Sequence, residues 1–564
     1  MSRHSALGQR ESAGALQPIT PTSRESATWD GGTWIGQVDY DELVDASVEL
    51  VGGNGFHRAR LLVWKNDQPC GSVDVPVTDG TIDLADVRRL ATDLPYLPPR
   101  TMKEDRPPIS VVICTRDRPD HLPNVLGSFY GLEYPVYEIL VVDNNPASGL
   151  TPPVLAGYAD LPIRLIDAVG QGLSIARNVG LRNARYNIVA FTDDDVVLDR
   201  RWLTNIAEGF ARDSTVACVC GMVPTSELLT PAQAYFDQRV GWAERWVPAV
   251  YSLAGEPPDS LFPLRVSEFG TGANFAVNRD LAIALGGFDE ALGAGAPTGA
   301  GEDSDMFVRM LVAGHGLARE PSAIVWHSHR KTPGELEGQM FNYGVGLSAG
   351  LLKLMLHPRT FPMVVSRLVV GARHFRNVTV VDHEEALAAE PSLKGIERRE
   401  RAGICRGPWA LLRGRLAGRT ARPLAASPHR LRRAFDFRGG QMWGEPANSI
   451  LAGRLAATGV ALGAIGSAGA IGALPSALSV ALIGAFVLGG PGSVALSFYP
   501  DLPRYAIVAL VPVIGVATVI LAVTGLLMIG FYSPVTVLLG LTLTTVTAGL
   551  GRCARLASRQ RSRV

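Results

Sequence analysis

Four short apolar runs between residues 109 and 195, ISVVICT, YEILVVD, IRLIDA and NIVAFTDDD, constrain the fold of this chain more than any other feature. Each is continuously apolar until its end, as expected for a strand buried on both faces of a parallel sheet. RPDHLPNVLGSFYGL, with Asp120 near its start, and GLSIARNVGLRNA lie between them with helical spacing. The order predicts βαβαβαβ, one half of a doubly wound α/β fold. In such sheets ligands bind at the C-terminal ends of the strands. Here those ends carry Thr115-Arg116, Asp143-Asn144-Asn145-Pro146 and Thr192-Asp193-Asp194-Asp195.

An apolar strand that ends in clustered carboxylates offers hard oxygen ligands to a divalent cation. Asp193 and Asp195 are two apart on an extended segment, so their side chains share one face and Asp194 takes the other. About 110 residues later comes Gly301-Glu302-Asp303-Ser304-Asp305. The first cluster suits a metal-bound diphosphate and the second a general base. Each has a plainer reading: a solvated acidic turn for the first, and carboxylates facing a helix macrodipole for the second.

The ordered series ISVVICTRDR, EILVVDNN, GLSIARNVG, FTDDDV, GTGANFAVNRD, GGFDE and GEDSDM resembles the family 2 glycosyltransferases of GT-A fold, over roughly residues 107–350. The resemblance implies a nucleotide-diphospho-sugar donor and Mg2+ or Mn2+ as cofactor. Thr115 and Arg116 match positions that meet the nucleobase and diphosphate, and Asp143 a carboxylate that accepts from base or ribose. Asp-Asn-Asn-Pro is also strong turn chemistry. Gly172, Arg177 and Asn178 match the donor-side helix opening, where the arginine can pair with phosphate. Asp193 and Asp194 fall on the donor side, and Asp193 and Asp195 on the metal. Asp303 matches the base, with Glu302 to orient it, and displacement opposite the diphosphate implies inversion. Gly272 and Asn274 match a loop lining the sugar and acceptor site. His327 or His329, in SAIVWHSHR, would complete the metal shell, with His327 favoured; a packing turn is the alternative. The glycine-rich GAGAPTGAGE reads as a mobile loop over the donor. Processive members carry QxxRW, whereas Gln339-Met340-Phe341-Asn342-Tyr343 lacks its Arg and Trp, which points to transfer of one or a few sugars.

At 564 residues the chain needs more than one core. Residues 1–28 are polar and expected to be disordered. Residues 29–100 form a small β-rich unit, with a hairpin around Asn66-Asp67, a second turn at Asp79-Gly80 and a helix over LADVRRLATDL. A proline-rich linker leads to the transferase region at 107–350, where Trp242 and Trp246, four apart, are expected on a helix as packing residues. The six cysteines are scattered, and Cys218 and Cys220 share a face of TVACVCGMV as buried thiols. No apolar leader stands at the N-terminus, so the soluble part is expected in the cytoplasm.

Zero net charge hides an asymmetry. From Lys394 to Arg454 there are fourteen Lys/Arg against four Asp/Glu, so 351–450 reads as a basic juxtamembrane helical segment. From Leu455 to Pro500 and from Tyr505 to Gly551 there is no charged residue. Each stretch has room for two crossings of about 20 residues. Segments near 455–473, 477–497, 505–529 and 533–551 are the candidate helices of a transmembrane region at 451–551, followed by a basic tail at 552–564. Basic flanks on both sides predict cytoplasmic termini, hence a multi-pass inner-membrane protein with a cytoplasmic catalytic domain. Adjacent apolar helices make nucleic-acid binding a poor reading of these arginines.

The expected partners are the nucleotide-sugar donor, a lipid-linked or cell-envelope glycan acceptor, and the membrane. The rivals are a sugar nucleotidyltransferase, disfavoured because Thr115-Arg116-Asp117-Arg118 replaces a glycine-rich loop, and a membrane scaffold with a degenerate domain, disfavoured by the intact acids.

Overall fold

The structure, a computed structural model, describes residues 15–20, 29–100, 106–255, 259–265, 268–357, 384–418, 449–470, 476–498, 510–519 and 533–561, with a few single positions between them. The chain forms two compact units, Met1–Phe435 and Asp436–Val564.

The first unit opens with β1 (Ala15–Leu16), β2 (Thr33–Asp39), β3 (Ser47–Leu50), β4 (Arg58–Lys65), β5 (Gln68–Pro76), β6 (Thr81–Asp83) and helix α1 (Leu84–Ala91). β4 and β5 are the expected hairpin. Asn66 and Asp67 both have positive φ, 52° and 56°, the backbone that two-residue hairpin turns require. β2 runs parallel to β4, and a second small sheet has the order β1-β3-β6. Trp34, Leu61, Val63, Val75 and Val87 centre the core between them. The N-terminal tail departs from expectation here: Ala15–Leu16 pairs with Glu49–Leu50, and Ile19 is buried against Ile35 and Trp64.

The second sheet is built from β7 (Ile109–Thr115), β8 (Tyr137–Asp143), β9 (Ile163–Asp167), β10 (Ile188–Thr192), β11 (Val196–Leu198), β12 (Val216–Met222), β13 (Ala249–Tyr251), β14 (Asn274–Asn278) and β15 (Gly316–His327). Its order is β11-β15-β12-β14-β10-β7-β8-β9, with β13 also on β15. The expected parallel half, β10-β7-β8-β9, is present, and β14 enters antiparallel between β10 and β12. This is the curled mixed sheet of a GT-A-like fold.

Helices α2 (Leu122–Ser128), α3 (Thr151–Leu155), α4 (Leu173–Asn183), α5 (Trp202–Ala211), α6 (Pro231–Val240), α7 (Arg279–Ala284), α8 (Glu302–Val312) and α9 (Pro333–Leu356) cover the sheet. Alternation along the strands divides the core. Ile109, Val111 and Ile113 pack with α2 and α5, while Val112, Leu140 and Phe191 pack with α4 and α8. Cys218 and Cys220 lie in that second cluster as free, buried thiols. Helix α6 stops at Gly241, which is left-handed at φ 57°, so Trp242 and Trp246 follow the helix rather than riding on it.

The N-terminal unit packs against the back of β11 and β15 through Ile35, Leu62, Trp64, Val197, Ile324 and Trp326. The helix Ile396–Leu416 lies along α9. A methyl on Gly403 would stand 2.1 Å from the Phe341 carbonyl, so glycines permit this close crossing. Part of the basic segment therefore belongs to the first unit: Arg239 pairs with Glu400 at 2.8 Å and Arg415 with Asp289 at 2.5 Å. Residues 419–448 lie outside the described ones.

Among the described residues of the second unit three helices, Ser449–Ala470, Ser476–Leu496 and Pro534–Arg561, are long and apolar enough to cross a membrane. The expected third segment, 505–529, falls largely outside the described residues, which show there a short apolar helix, Leu510–Val519. Methyls on Gly459, Gly463 and Gly466 would collide with Val494, Val546 and Phe486. The Gly/Ala composition that weakens the first segment as an apolar signal is thus what lets its neighbours approach. The last helix continues through much of the basic tail, and Arg552 Nη2 donates to the Ser497 carbonyl at 2.9 Å.

Candidate active site

Two strand ends make the acidic centre. Thr192 closes β10, its hydroxyl donating to the Ala273 carbonyl at 2.9 Å. The chain then crosses Asp193, Asp194 and Asp195 and re-enters the sheet as β11, where Val196 is paired with His327 of β15. That register sets His327 Nε2 3.4 Å from Asp195 Oδ1. One ligand atom each of Asp193, Asp195 and His327 lies within 4.8 Å of the others. Two carboxylates and an imidazole fit a hard or borderline divalent cation.

Asp194 borders the same cavity as Asp193 and Asp195 but lies outside the triad. It is buried, accepts from Thr115 Oγ1 at 2.8 Å and pairs with Arg118 Nη1 at 2.5 Å. Burial, then the charge of Asp195, pushes it up to about 7. Arg118 Nη2 also reaches Asp195 Oδ2 at 2.8 Å. For Asp195 burial acts upward, yet His327 and Arg118 hold it well below the usual carboxylate range. Burial acts downward on His327, and Asp195 reverses this to hold it above its ordinary value. Arg118 and its neighbour His121 were missed by sequence reasoning, although the TRDR run displays the arginine.

The second acidic site joins the first through Arg177 on α4. This buried guanidinium donates to Glu302 Oε1 at 2.8 Å and to the Gly272 carbonyl at 2.8 Å, and lies 3.5 Å from Asp193 Oδ1. Glu302 and Asp303 open α8, whose N-cap Gly301 has φ 99°. Burial, opposed by Arg177 and reinforced by Asp303, pushes Glu302 up to about 7. Asp303 Oδ1 accepts from the Ser304 amide at 2.6 Å, and Oδ2 points toward Gly272. The glycine-rich loop before α8 is tied down: Leu173 N donates to the Ala294 carbonyl, Gly293 N to that of Ala300, and Ser174 Oγ to that of Leu292.

These groups border one cavity of about 1460 Å³, together with Thr115, Arg116, Gly172 and Gly272. Arg116 is held by the Asn144 carbonyl at 2.6 Å. Asn144, another omission, accepts from Gly172 N and donates to the Gly170 carbonyl, fixing the opening of α4. Three expected site residues have their side chains engaged elsewhere. Asp143 accepts from the Asn145 amide at 2.8 Å, the turn arrangement that its sequence also allows. Asn178 exchanges hydrogen bonds with both backbone groups of Phe288. Asn274, expected in the acceptor loop, is fully buried between the Met222 and Ala323 carbonyls and accepts from Trp202 Nε1. None of the three borders the cavity. Beyond the acids the wall has an apolar part, with Leu261, Leu264, Leu351, Leu354 and Val364, beside which Arg265, Arg330 and Arg367 also border the cavity. Gln339 donates to the Tyr343 hydroxyl at 2.9 Å on that side.

A sheet of this order, with two acidic sites joined at its strand ends, is that of a GT-A-type transferase domain. Residues 110–282 match the sequence model of glycosyl transferase family 2. It is 30% identical over 279 residues to the pre-mycofactocin glycosyltransferase of Mycobacterium tuberculosis, covering 47% of this chain and 53% of that protein. It is also 30% identical over 225 residues to the succinoglycan biosynthesis protein ExoM of Rhizobium meliloti, covering 38% of this chain and 65% of that one. The chain thus spans between half and two thirds of the length of these relatives. Among solved structures, the mannosyltransferase PcManGT from Pyrobaculum calidifontis, in complex with GDP-Man and Mn2+, aligns with 54% of this chain and 88% of its own at 20% identity and a TM-score of 0.38.

Proposed function

We propose that the protein is a membrane-anchored, inverting glycosyltransferase that moves a sugar from a nucleotide diphosphate to a cell-envelope or lipid-linked glycan acceptor. The observation that carries this reading is Arg177, whose one guanidinium meets the Asp193 end of a cation-binding triad and Glu302, the neighbour of Asp303.

Asp193, Asp195 and His327 would hold Mg2+ or Mn2+. Such an ion, when bound, supplies Lewis acidity to the departing diphosphate. Thr115, Arg116 and Gly172 line the cavity at the strand ends where the donor would lie, and the α4 N-terminus favours anionic phosphate oxygens there. Asp303 borders the cavity on the far side of Gly272. From there it takes the proton of the acceptor hydroxyl as that oxygen attacks the anomeric carbon; attack opposite the leaving group inverts the centre. Glu302, paired with Arg177, keeps the opening of α8 in place rather than exchanging protons.

The apolar part of the cavity wall and the three membrane-length helices support an acceptor carried at a bilayer, as does the succinoglycan biosynthesis in the name of the Rhizobium relative. Cytoplasmic placement of the catalytic unit follows from the basic flanks. The purified chain, offered several nucleotide sugars with Mn2+, should hydrolyse one of them slowly to the nucleoside diphosphate and the inverted free sugar, seen by NMR. Retention of configuration, or no donor consumed, would refute the reading.

A further inference from the structure

His327 does not stand alone behind the acidic centre. Its Nδ1 lies 3.3 Å from Nδ1 of His329, and His329 Nε2 lies 3.8 Å from Asp237 Oδ1 on α6. Asp237 Oδ2 in turn accepts from Arg60 Nη1 of β4 at 2.7 Å. Arg60 is aimed by a second carboxylate, with its Nε 2.8 Å and Nη2 3.1 Å from Asp74. Four side chains thus run in sequence from the N-terminal unit to Asp195.

Both imidazoles are buried and fixed. Gln233 donates to the His329 carbonyl at 3.2 Å. The His327 backbone bonds Pro224 and Ser226. Phe236 and Trp242 meet the His329 ring edge-on, with centroids 4.8 and 6.0 Å away.

The order of donors follows from chemistry. An ionised carboxylate only accepts, so the His329 nitrogen that faces Asp237 carries hydrogen. At 3.8 Å this contact orients the ring electrostatically rather than as a full hydrogen bond. Neutral His329 then presents a lone pair at Nδ1, and the shared contact is made by His327 Nδ1–H. A proton on His327 Nε2 suits Asp195 Oδ1, 3.4 Å away, when no ion is bound; a bound cation would take that proton's place, and the Nε2 lone pair would then be turned toward it.

We infer that Asp237 and His329, anchored by Arg60, are positioning residues that hold His327 in the Nδ1–H tautomer and aim its Nε2 at the divalent ion. The inference rests on the metal site of the proposed function. It ties the N-terminal unit to the chemistry, because β4 supplies the outermost member of the series. Trp326, the residue beside His327, is packed into that unit's interface.

The test is Mn2+ titration of the full chain in the presence of UDP or GDP, followed by EPR, with 14N coupling from the bound ion as a second readout. Asp237→Asn should weaken Mn2+ binding about 10–100-fold and perturb the 14N coupling. Asp74→Asn, which removes a charge from the far side of Arg60 but leaves the Arg60 Nη1–Asp237 ion pair in place, should change neither. Arg60→Met, a milder change should Asp237→Asn not fold, should weaken binding several-fold. Unchanged affinity and coupling in Asp237→Asn and Arg60→Met would overturn the inference alone, as would equal losses in Asp74→Asn. A wild-type chain that takes up no Mn2+ would overturn the metal site and the inference with it.

Discussion

Gly272 and Asp303 face each other so closely that a methyl on Gly272 would stand 2.9 Å from Asp303 Oδ2, and 3.1 Å from Arg177 Nη2. The absent side chain leaves room for both charged groups to aim at the cavity. Gly272→Ala should therefore displace the base without unfolding the protein. Turnover should fall up to about 10²-fold, the effect of misplacing a reacting group by an ångström. Steady-state kinetics beside a thermal melt would show lost activity at nearly unchanged Tm.

Asp303→Asn keeps the shape and removes the proton acceptor. Turnover should drop about 10²–10⁴-fold while Mn2+–nucleotide binding, measured by calorimetry, stays within a few-fold of wild type. Near-normal transfer by this variant would remove Asp303 from the reaction.

Asp194 and Asp195 should respond differently. Asp195→Ala takes a carboxylate from the triad and should abolish Mn2+ uptake. Asp194→Ala strands Thr115 Oγ1 and one arm of Arg118 in a buried place, so its main effect should be on stability, about 1–3 kcal/mol for a lost buried partner. Urea unfolding and Mn2+ calorimetry on the two variants separate these effects.

Lys353 sits between two buried carboxylates, 2.8 Å from Asp289 and 2.5 Å from Asp305. Burial acts upward on both acids, but for Asp289 Lys353 and Arg415, and for Asp305 Arg309 and Lys353, hold them below the usual range. A depressed carboxyl stabilises the fold above its unfolded value, near 4, and that contribution is lost as pH falls through the folded value. Lys353→Met takes one of two cationic partners from each buried anion and should cost about 1–3 kcal/mol at pH 7. Its deficit in urea midpoint should narrow as pH drops below about 4. A deficit that is constant with pH would mean that packing, not charge, accounts for the loss.

Legibility in the sequence followed the range of the interaction that fixes each residue. Strands β7, β8, β9 and β10 could be read because continuous apolar runs are a local signal. Periodicity put Asp193 and Asp195 together, as the triad has them, but gave no sign that Asp194 would share Arg118 with Asp195. His327 needed a register: its meeting with Asp195 depends on Val196 lying beside it across two strands far apart in sequence. Arg118 and Asn144 escaped notice because their roles are defined by partners, not by their own segments. Asn274 and Asn178 sit within recognisable motifs, yet their side chains satisfy buried backbone groups, a demand invisible until the strands are stacked. Ala15–Leu16 is too short to carry any periodicity, and its strand exists only because β3 offers an open edge.

The long strand β15 carries Trp326 and His327 side by side on opposite faces, one in the apolar seam under the N-terminal unit and the other in the catalytic cleft. A shift of one residue would exchange them, placing an indole among the carboxylates and an imidazole in a dry interface. Point changes along this strand alter one contact each, whereas a single insertion or deletion between Ala323 and His327 would damage the cleft and the domain seam together. Chains of this architecture can therefore vary the side chains here more readily than the spacing.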